Sequence, residues 1–210
     1  MYVIKEDKTP SFYLWITIFL AVFIWSAINP KDYFTWFLEV LPVIMGVMIM
    51  AFTYRSFRLT PLLYELILIH MIILMLGGHY TYAEVPLFDW IGDVFNHTRN
   101  NYDKVGHFAQ GAVPAMIARE ILIRNHVVNG KAWLNFIILS ICLGLSAFYE
   151  LIEWQVALIS DEAAEAFLGT QGYTWDTQSD MGWALIGVIT SLLLFSRLHD
   201  RQLKKLEKKV

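Results

Sequence analysis

The chain has 210 residues, of which 57% are hydrophobic and only 17% are charged. Soluble globular domains carry about 25% charged residues, so this composition excludes an ordinary water-soluble domain. The net charge of −3 indicates no nucleic-acid surface, and the single cysteine, Cys142, excludes an intramolecular disulfide. We therefore interpret residues 1–210 as one membrane-embedded domain.

Six apolar stretches are long enough to cross a bilayer. About 20 residues, rising 1.5 Å each along a helix, cross a hydrocarbon core of about 30 Å. The stretches lack the alternating pattern of barrel strands, and backbone amides in lipid must be hydrogen-bonded within their own segment. We expect an all-α, polytopic protein with six transmembrane helices at 11–28, 33–52, 61–78, 104–123, 132–159 and 179–198.

The links between these stretches indicate an orientation. Residues 29–32 and 54–58 form short turns, whereas the connections 79–103 and 160–178 are long and acidic. With both termini on one side, all but three of the 16 Lys and Arg residues lie on that side, and the three are Lys31, Arg99 and Lys104. Cytoplasmic loops retain such residues. The sequence therefore predicts cytoplasmic termini and two long outer connections.

Ionisable residues occur inside the last three predicted spans, where each costs about 2.5 to 3.5 kcal/mol near a helix centre. Three pairs spaced three or four residues apart share helical faces, namely Asp103 with His107, Glu150 with Glu153, and Asp176 with Asp180. They lie in the outer halves of their spans or, for Asp103 and Asp176, just before them, and Glu39 lies in the outer half of the second span. Small residues would let these helices approach closely, namely Gly106, Gly111, Gly144, Ser146, Gly182 and Gly187.

One imidazole among several carboxylates suits a divalent metal cation, because helix bundles build such sites from Glu and His on facing helices. The candidate metal ligands are Asp103, His107, Glu150, Glu153, Asp176 and Asp180. The same groups could share protons, and the candidates for acid–base catalysis are His107, Glu150, Glu153 and Asp180. No spacing is diagnostic of a known motif, so the cofactor stays open between a divalent cation and none.

Structural explanations compete with these roles. Asp103 and Asp180 stand where helix N-caps are expected, and Thr177 with Asp180 has the spacing of a capping box. His107 and Gln110 can be interhelical hydrogen-bond partners. Two carboxylates on one span, Glu150 and Glu153, are harder to explain without a cation or a proton.

Other polar residues in the spans have simpler explanations. Glu39 can pair with Arg99 or Lys104 at the surface. Glu65 and His70, in the inner half and the middle of the third span, are expected to stay outside the outer cluster.

Three segments carry a resemblance to a known family: DKVGHFAQG at 103–111, YELIEW at 149–154 and FLGTQGYTWDTQSDM at 167–181. With the six-span layout, they resemble the YjdF-type family of bacterial inner-membrane proteins over essentially the whole chain. The last three spans are more distantly similar to VanZ-like membrane proteins, which are linked to glycopeptide and lipopeptide resistance. Glu153 and Ala184 depart from that second pattern, where Gln and Asn are expected. The resemblance implies a bacterial inner membrane and an outward-facing polar centre, but no reaction.

Three functions are compatible with this pattern. The first is binding or processing of the head group of a membrane lipid or lipid-linked amphiphile in the outer leaflet. An anionic head group would need a bound cation there, because Lys104 is the only basic group expected near the carboxylates. The second is a proton- or cation-coupled transporter, for which only Glu65 and His70 continue the polar path inward. The third is a structural or interaction protein. Substrate and oligomeric state stay open.

Overall fold

The computed structural model describes residues 10–159 and 170–207. These residues form seven helices and no strand: α1 (Pro10–Ala27), α2 (Tyr33–Thr53), α3 (Pro61–Tyr80), α4 (Pro86–Phe95), α5 (Tyr102–Arg124), α6 (Lys131–Ile159) and α7 (Asp176–Glu207). The all-α prediction is confirmed. Residues 160–169 of the second long connection and Lys5, Lys8, Lys208 and Lys209 lie outside the described residues.

Four of the described helices, α2, α3, α6 and α7, are long and apolar enough to cross a membrane. In α1 the apolar segment is shorter, Phe12–Ala27. Helix α5 has 23 residues but low hydropathy, and it packs against α3, α6 and α7 with 12 of its residues buried. Since its neighbours shield it, its charged side chains meet protein rather than hydrocarbon. Six spans and cytoplasmic termini remain predictions.

Local signals place the helix ends. Asp32 caps α2, because its Oδ2 accepts the backbone N–H of Thr35 at 2.6 Å. Prolines at the first turn open α3 at Pro61 and α4 at Pro86, where a missing N–H costs no hydrogen bond. The turn before α2 rests on the end of α3, since Lys31 N donates to His79 O at 2.9 Å. The predicted turn at 29–32 and the helix start at Pro61 are confirmed.

Helix α4 is a difference from the sequence prediction, which treats 79–103 as an irregular connection. It has only 10 residues, about 15 Å of helix, which is too short to cross a bilayer. A search for long apolar runs therefore passes over it. The same search begins α5 and α7 two to three residues late, because their first turns are polar.

Helices α5 and α7 pack most extensively against each other, and two glycines bring their backbones together. A Cβ atom on Gly111 would overlap the carbonyl of Ala184, and one on Gly187 would overlap the carbonyl oxygen of Phe108. Three other predicted packing glycines behave differently. Gly106 lies under the ring of Tyr82, and among the described residues no atom from outside the local helix is within 4 Å of the Cβ positions of Gly144 and Gly182. For these three the prediction of interhelical packing is wrong, because sequence does not reveal which face meets a neighbour.

An apolar core divides the bundle into two polar ends. It is built from α2, α3 and α5 and contains Val40, Val43, Leu62, Leu63, Ile67, Met71, Met75, Val113 and Met116. We call the end with the first turns of α2, α5 and α7 the acidic end. We call the opposite end, with the last turns of α5 and α7, the basic end.

Candidate functional site

Seven buried ionisable residues meet at the acidic end of the bundle, each with at most 8% of its surface exposed. We call them the acidic cluster: Glu39 from α2, Asp103 and His107 from α5, Glu150 and Glu153 from α6, and Asp176 and Asp180 from α7. The cluster contains every candidate residue predicted from the sequence. Its assignment as a site remains a prediction.

His107 lies at the centre of the cluster. Its Nε2 is 3.2 Å from Asp103 Oδ1, one turn away on the same helix. Its Nδ1 is 3.0 Å from Gln110 Oε1 and 3.8 Å from Glu150 Oε1. Both ring nitrogens therefore face oxygen atoms, and the imidazole is fixed in orientation between α5 and α6.

Arg99 is the guanidinium in direct contact with the cluster. Its NH1 is 2.5 Å from Asp176 Oδ1, and its NH2 is 3.5 Å from Asp103 Oδ2. Lys104 instead donates from Nζ to Asn101 Oδ1 at 2.7 Å. The expectation that Lys104 is the only nearby basic group is wrong. The spacing of Arg99 and Asp103, four residues apart, was the available signal.

The loop residues around Asn100 close over the cluster. Asn100 N donates to Gln171 Oε1 and Gln171 Nε2 donates back to Asn100 O, both at 2.9 Å. The Asn100 side chain also donates to Val85 O at 3.0 Å and to Asp89 Oδ1 at 2.7 Å. The segment before α7 is thereby tied to α4 and to the start of α5. The Arg99 guanidinium adds a contact over the Tyr173 ring, at 5.4 Å from its centroid.

A cavity of about 110 Å³ adjoins His107 between α2, α3, α5 and α6. Its polar lining consists of Glu39, His70, Tyr82, Asp103, His107, Gln110, Tyr149 and Glu153. One water molecule occupies about 30 Å³ of liquid, so the cavity has room for a few waters or a small polar group. Pockets for drug-sized ligands measure about 300 to 1,000 Å³. Only part of a larger ligand would fit here.

Two cavity residues depart from their predicted positions. His70 lines the cavity, and its Nε2 is buried without a hydrogen-bond partner among the described residues. His70 is not one of the seven residues of the acidic cluster, but its position in the cavity wall was not predicted, because the cavity reaches inward beyond His107. Glu39 accepts a hydrogen bond from the Tyr149 hydroxyl at 3.4 Å instead of pairing with Arg99 or Lys104.

Tyr82 closes the cavity from the turn after α3. Its ring is buried over Gly106, which has no side chain to obstruct it. Burial raises the pKa of the Tyr82 phenol well above its usual value, so the hydroxyl stays protonated near neutral pH. It therefore presents an O–H group, not a further negative charge, to the cavity.

Two carboxylate oxygens of the cluster lack partners. Asp180 Oδ1 and Glu150 Oε1 are both buried without a hydrogen bond among the described residues. Such an atom loses its hydration without replacement, which costs about 1 to 3 kcal/mol or more for a charged group. Capping does not explain Asp180, because α7 begins at Asp176 and Asp180 lies a full turn inside. Asp103 is likewise inside α5, after the N-cap residue Asn101.

A second buried network lies at the basic end, and the sequence analysis missed it. Glu120 and His199 are fully buried, with His199 Nε2 at 2.9 Å from Glu120 Oε2. Glu120 also accepts hydrogen bonds from the Thr60 hydroxyl at 2.7 Å and from Arg124 at 2.8 Å. The four-residue spacing of Glu120 and Arg124 was a signal for part of this network.

The tautomer of His199 follows from its neighbours. Arg119 NH1 is 2.8 Å from His199 Nδ1, and a guanidinium can only donate. His199 Nδ1 is therefore the acceptor, and Nε2 carries the proton that is donated to Glu120. Arg119 is held in turn by Asp200 Oδ1 at 2.6 Å. All hydrogen bonds of this network are internal, which indicates a structural tie between α3, α5 and α7.

Comparison with known proteins gives one family and one relative. The family model described as "Predicted membrane protein (DUF2238)" matches residues 12–201. The chain is 49% identical over 184 residues to "Inner membrane protein YjdF" of Escherichia coli (strain K12), which covers 88% of each chain. No solved structure matches. The family match includes the whole acidic cluster and the network around His199.

Proposed function

This chain belongs to the DUF2238 family of membrane proteins, and we propose that it binds the polar head group of a lipid or lipid-linked amphiphile at the acidic cluster. The observation that carries the proposal is a small cavity beside a cluster in which two buried carboxylate oxygens, Glu150 Oε1 and Asp180 Oδ1, have no hydrogen-bond partner among the described residues. A purely structural network satisfies its members internally, as the one around Glu120 does. The acidic cluster instead leaves acceptors available for a ligand.

The negative charge of the acidic cluster limits the chemical class of ligand that can bind there. The acidic cluster contains six carboxylates. Among the described residues, the cations beside them are Arg99 and, when protonated, His107. Several ionised carboxylates in a low-dielectric region cost several kcal/mol each unless they are compensated. A ligand that fits must bring positive charge, as an ammonium group or as a cation bound with a phosphate.

Access from the membrane is part of the proposal. The cavity is bordered by α2 through Glu39 and by α6 through Tyr149 and Glu153. Large apolar side chains are exposed on these helices near the cavity, namely Phe34, Phe37 and Leu41 on α2 and Phe148, Leu151 and Ile152 on α6. An amphiphile could place its head group between α2 and α6 while its apolar chain stays in the lipid beside them.

The proposed orientation places the acidic end in the outer leaflet. The distribution of Lys and Arg supports it, because the basic end holds Arg119, Arg124, Lys204 and Lys205. Helix α7, with 32 residues, is about 48 Å long and exceeds a hydrocarbon core of about 30 Å. Its basic last turns would project into the cytoplasm.

The arrangement favours binding over transport. Between the cavity and the buried network at the basic end lie Leu63 and Ile67 of α3 and Val113 and Met116 of α5, all buried. Gln110 and Glu120 are ten residues apart on α5, which corresponds to about 15 Å along the helix. An apolar layer of that thickness offers an ion no coordinating groups in this conformation.

Lipid retention tests the proposal. We would purify the protein with its native lipids in polymer-bounded nanodiscs and identify the retained amphiphiles by mass spectrometry. Glu153→Gln keeps the side-chain volume in the cavity but removes a charge, whereas Glu65→Gln makes the same change on the exposed face of α3. We expect one amphiphile to be enriched in the wild type and in Glu65→Gln, and at least tenfold less of it in Glu153→Gln. The same lipid profile in all three proteins would overturn the proposal.

A further inference from the structure

We propose that Asp103, His107 and Asp180 bind one divalent cation at the acidic cluster. The inference rests on the proposed function, since a cation would supply the positive charge that a head group needs there. One potential ligand atom from each of the three residues lies within 4.8 Å of the other two. An ion at the centre of such a triangle is at most about 2.8 Å from each atom, against bond lengths of about 2.0 to 2.6 Å. Shifts of at most about 0.8 Å for each ligand atom suffice.

An independent observation points to a missing ligand at this position. Only 2% of the surface of Asp180 is exposed, and its Oδ1 has no hydrogen-bond partner among the described residues. Glu150 Oε1 has none either, and it lies 3.8 Å from His107 Nδ1 on the other side of the ring. Two buried carboxylate oxygens therefore stand beside the imidazole with unused acceptor capacity. A bound cation would satisfy Asp180 directly.

The surroundings of His107 suit a metal ligand. A ligating histidine usually donates its other ring N–H to an oxygen atom, which fixes the tautomer. Here Nδ1 faces Gln110 Oε1 at 3.0 Å, so a proton on Nδ1 leaves the Nε2 lone pair free for the cation. Nε2 is also the nitrogen beside Asp103 Oδ1, at 3.2 Å. The other oxygen of Asp103 is oriented by Arg99 at 3.5 Å.

This placement narrows the set of candidate ligands. Asp176 is engaged by Arg99, and Glu153 lines the cavity without joining the triangle of ligand atoms. One imidazole nitrogen with two carboxylate oxygens favours Zn²⁺ or Mn²⁺ over Ca²⁺, which prefers oxygen ligands alone. Asp103 and His107 both border the cavity, so a further coordination position would face it. A phosphate oxygen of the head group is the ligand chemistry that fits this position.

Metal binding by the intact protein tests the inference. Protein treated with chelator and then dialysed against Zn²⁺ or Mn²⁺ should retain one equivalent by elemental analysis, with a higher melting temperature. Asp180→Asn keeps the shape of the side chain but weakens a ligand, and we expect at least tenfold weaker binding. Glu65→Gln is the control, since it removes a carboxylate that is exposed on α3 and lies outside the acidic cluster, and it should bind the metal as the wild type does. Equal affinity in wild type and Asp180→Asn, or no bound metal in the wild type, would overturn the inference.

A spectroscopic readout covers the case in which Asp180→Asn fails to fold. Pulsed electron paramagnetic resonance of the wild type loaded with Mn²⁺ should show coupling to one imidazole nitrogen. A spectrum without nitrogen coupling would contradict the proposed role of His107.

Lipid retention measured on the same samples separates the two proposals. If Glu153→Gln loses the amphiphile and no protein binds metal, head-group binding is supported and the metal site is refuted. If the wild type binds metal but the lipid profile is the same in all variants, the metal site is supported and head-group binding is refuted.

Discussion

Arg99 and Lys104 lie five residues apart in the chain but have unequal roles. The Arg99 guanidinium contacts both Asp176 and Asp103, and its side chain is only 13% exposed. Lys104 instead donates a hydrogen bond to Asn101, at the edge of the same region. The planar guanidinium can serve two carboxylates at once, which a lysine ammonium does less well.

Replacing Arg99 should therefore destabilise the protein. Arg99→Ala leaves Asp176 and Asp103 buried without their cation, and breaking such a pair costs about 3 to 5 kcal/mol. We expect a clearly lower melting temperature in detergent, measured by intrinsic fluorescence. Arg99→Lys should recover part of the loss, because it restores charge without the fork geometry. Lys104→Ala is the control, and an equal loss there would contradict the assignment of Arg99 as the principal counterion.

At the scale of helices, the contact between α5 and α7 positions the acidic cluster. Asp103 and His107 come from the first, Asp176 and Asp180 from the second. Gly111 and Gly187 allow the two backbones to touch, and no side chain larger than hydrogen fits between them. The same two helices carry Glu120 and His199 at the basic end. Their separation therefore affects both polar regions.

Widening this contact should loosen the cluster. In Gly111→Ala the new methyl group meets the backbone of Ala184, which cannot rotate away as a side chain can, so α5 and α7 must shift. Overpacking of this kind costs about 1 to 3 kcal/mol. We expect a lower melting temperature and weaker metal binding for Gly111→Ala. Gly182→Ala makes the same change on α7 at a position where no neighbouring helix of the described chain lies within 4 Å, so it should match the wild type. Similar losses in both variants would show that helix propensity or insertion, not this contact, decides the outcome.

For the whole molecule, the proposed orientation makes an accessibility prediction. In a Cys142→Ser background, a cysteine replacing Thr98 lies in the exposed loop after α4, and one replacing Lys204 lies on the exposed last turns of α7. A membrane-impermeant thiol reagent added to intact cells should label Thr98→Cys alone, and Lys204→Cys should react only after the membrane is opened. The reverse pattern would place the acidic cluster in the cytoplasmic leaflet and remove the outer-leaflet ligand from the proposal.

Hydropathy predicted α2, α3, α6 and α7 well, because each contains a long run that water would not solvate, whereas α5 has a lower hydropathy. It could not predict α4, which is short and has Leu87, Trp90 and Val94 on one exposed face. The candidate residues of the cluster were found because ionisable groups within apolar runs need an explanation. His70, Arg99 and the pair Glu120–His199 were not assigned, since their roles depend on which helices are neighbours. Residue spacing reports the face of one helix but not the partner opposite it.

The polar character of α5 has a consequence for how the protein is made. Asp103, Lys104, Arg119, Glu120 and Arg124 all belong to this helix. Each of these charges costs less than the about 2.5 to 3.5 kcal/mol of a charge at a helix centre, because they lie in the first and last turns, but five of them together would make α5 alone partition poorly from the translocon into lipid. The partners of Arg119 and Glu120, which include Asp200 and His199, lie in α7 and are synthesised about 80 residues later. We therefore expect α5 to remain near the translocon until α7 emerges, so that the two helices enter the bilayer together and integration of this part of the bundle is complete only after α7 has been synthesised.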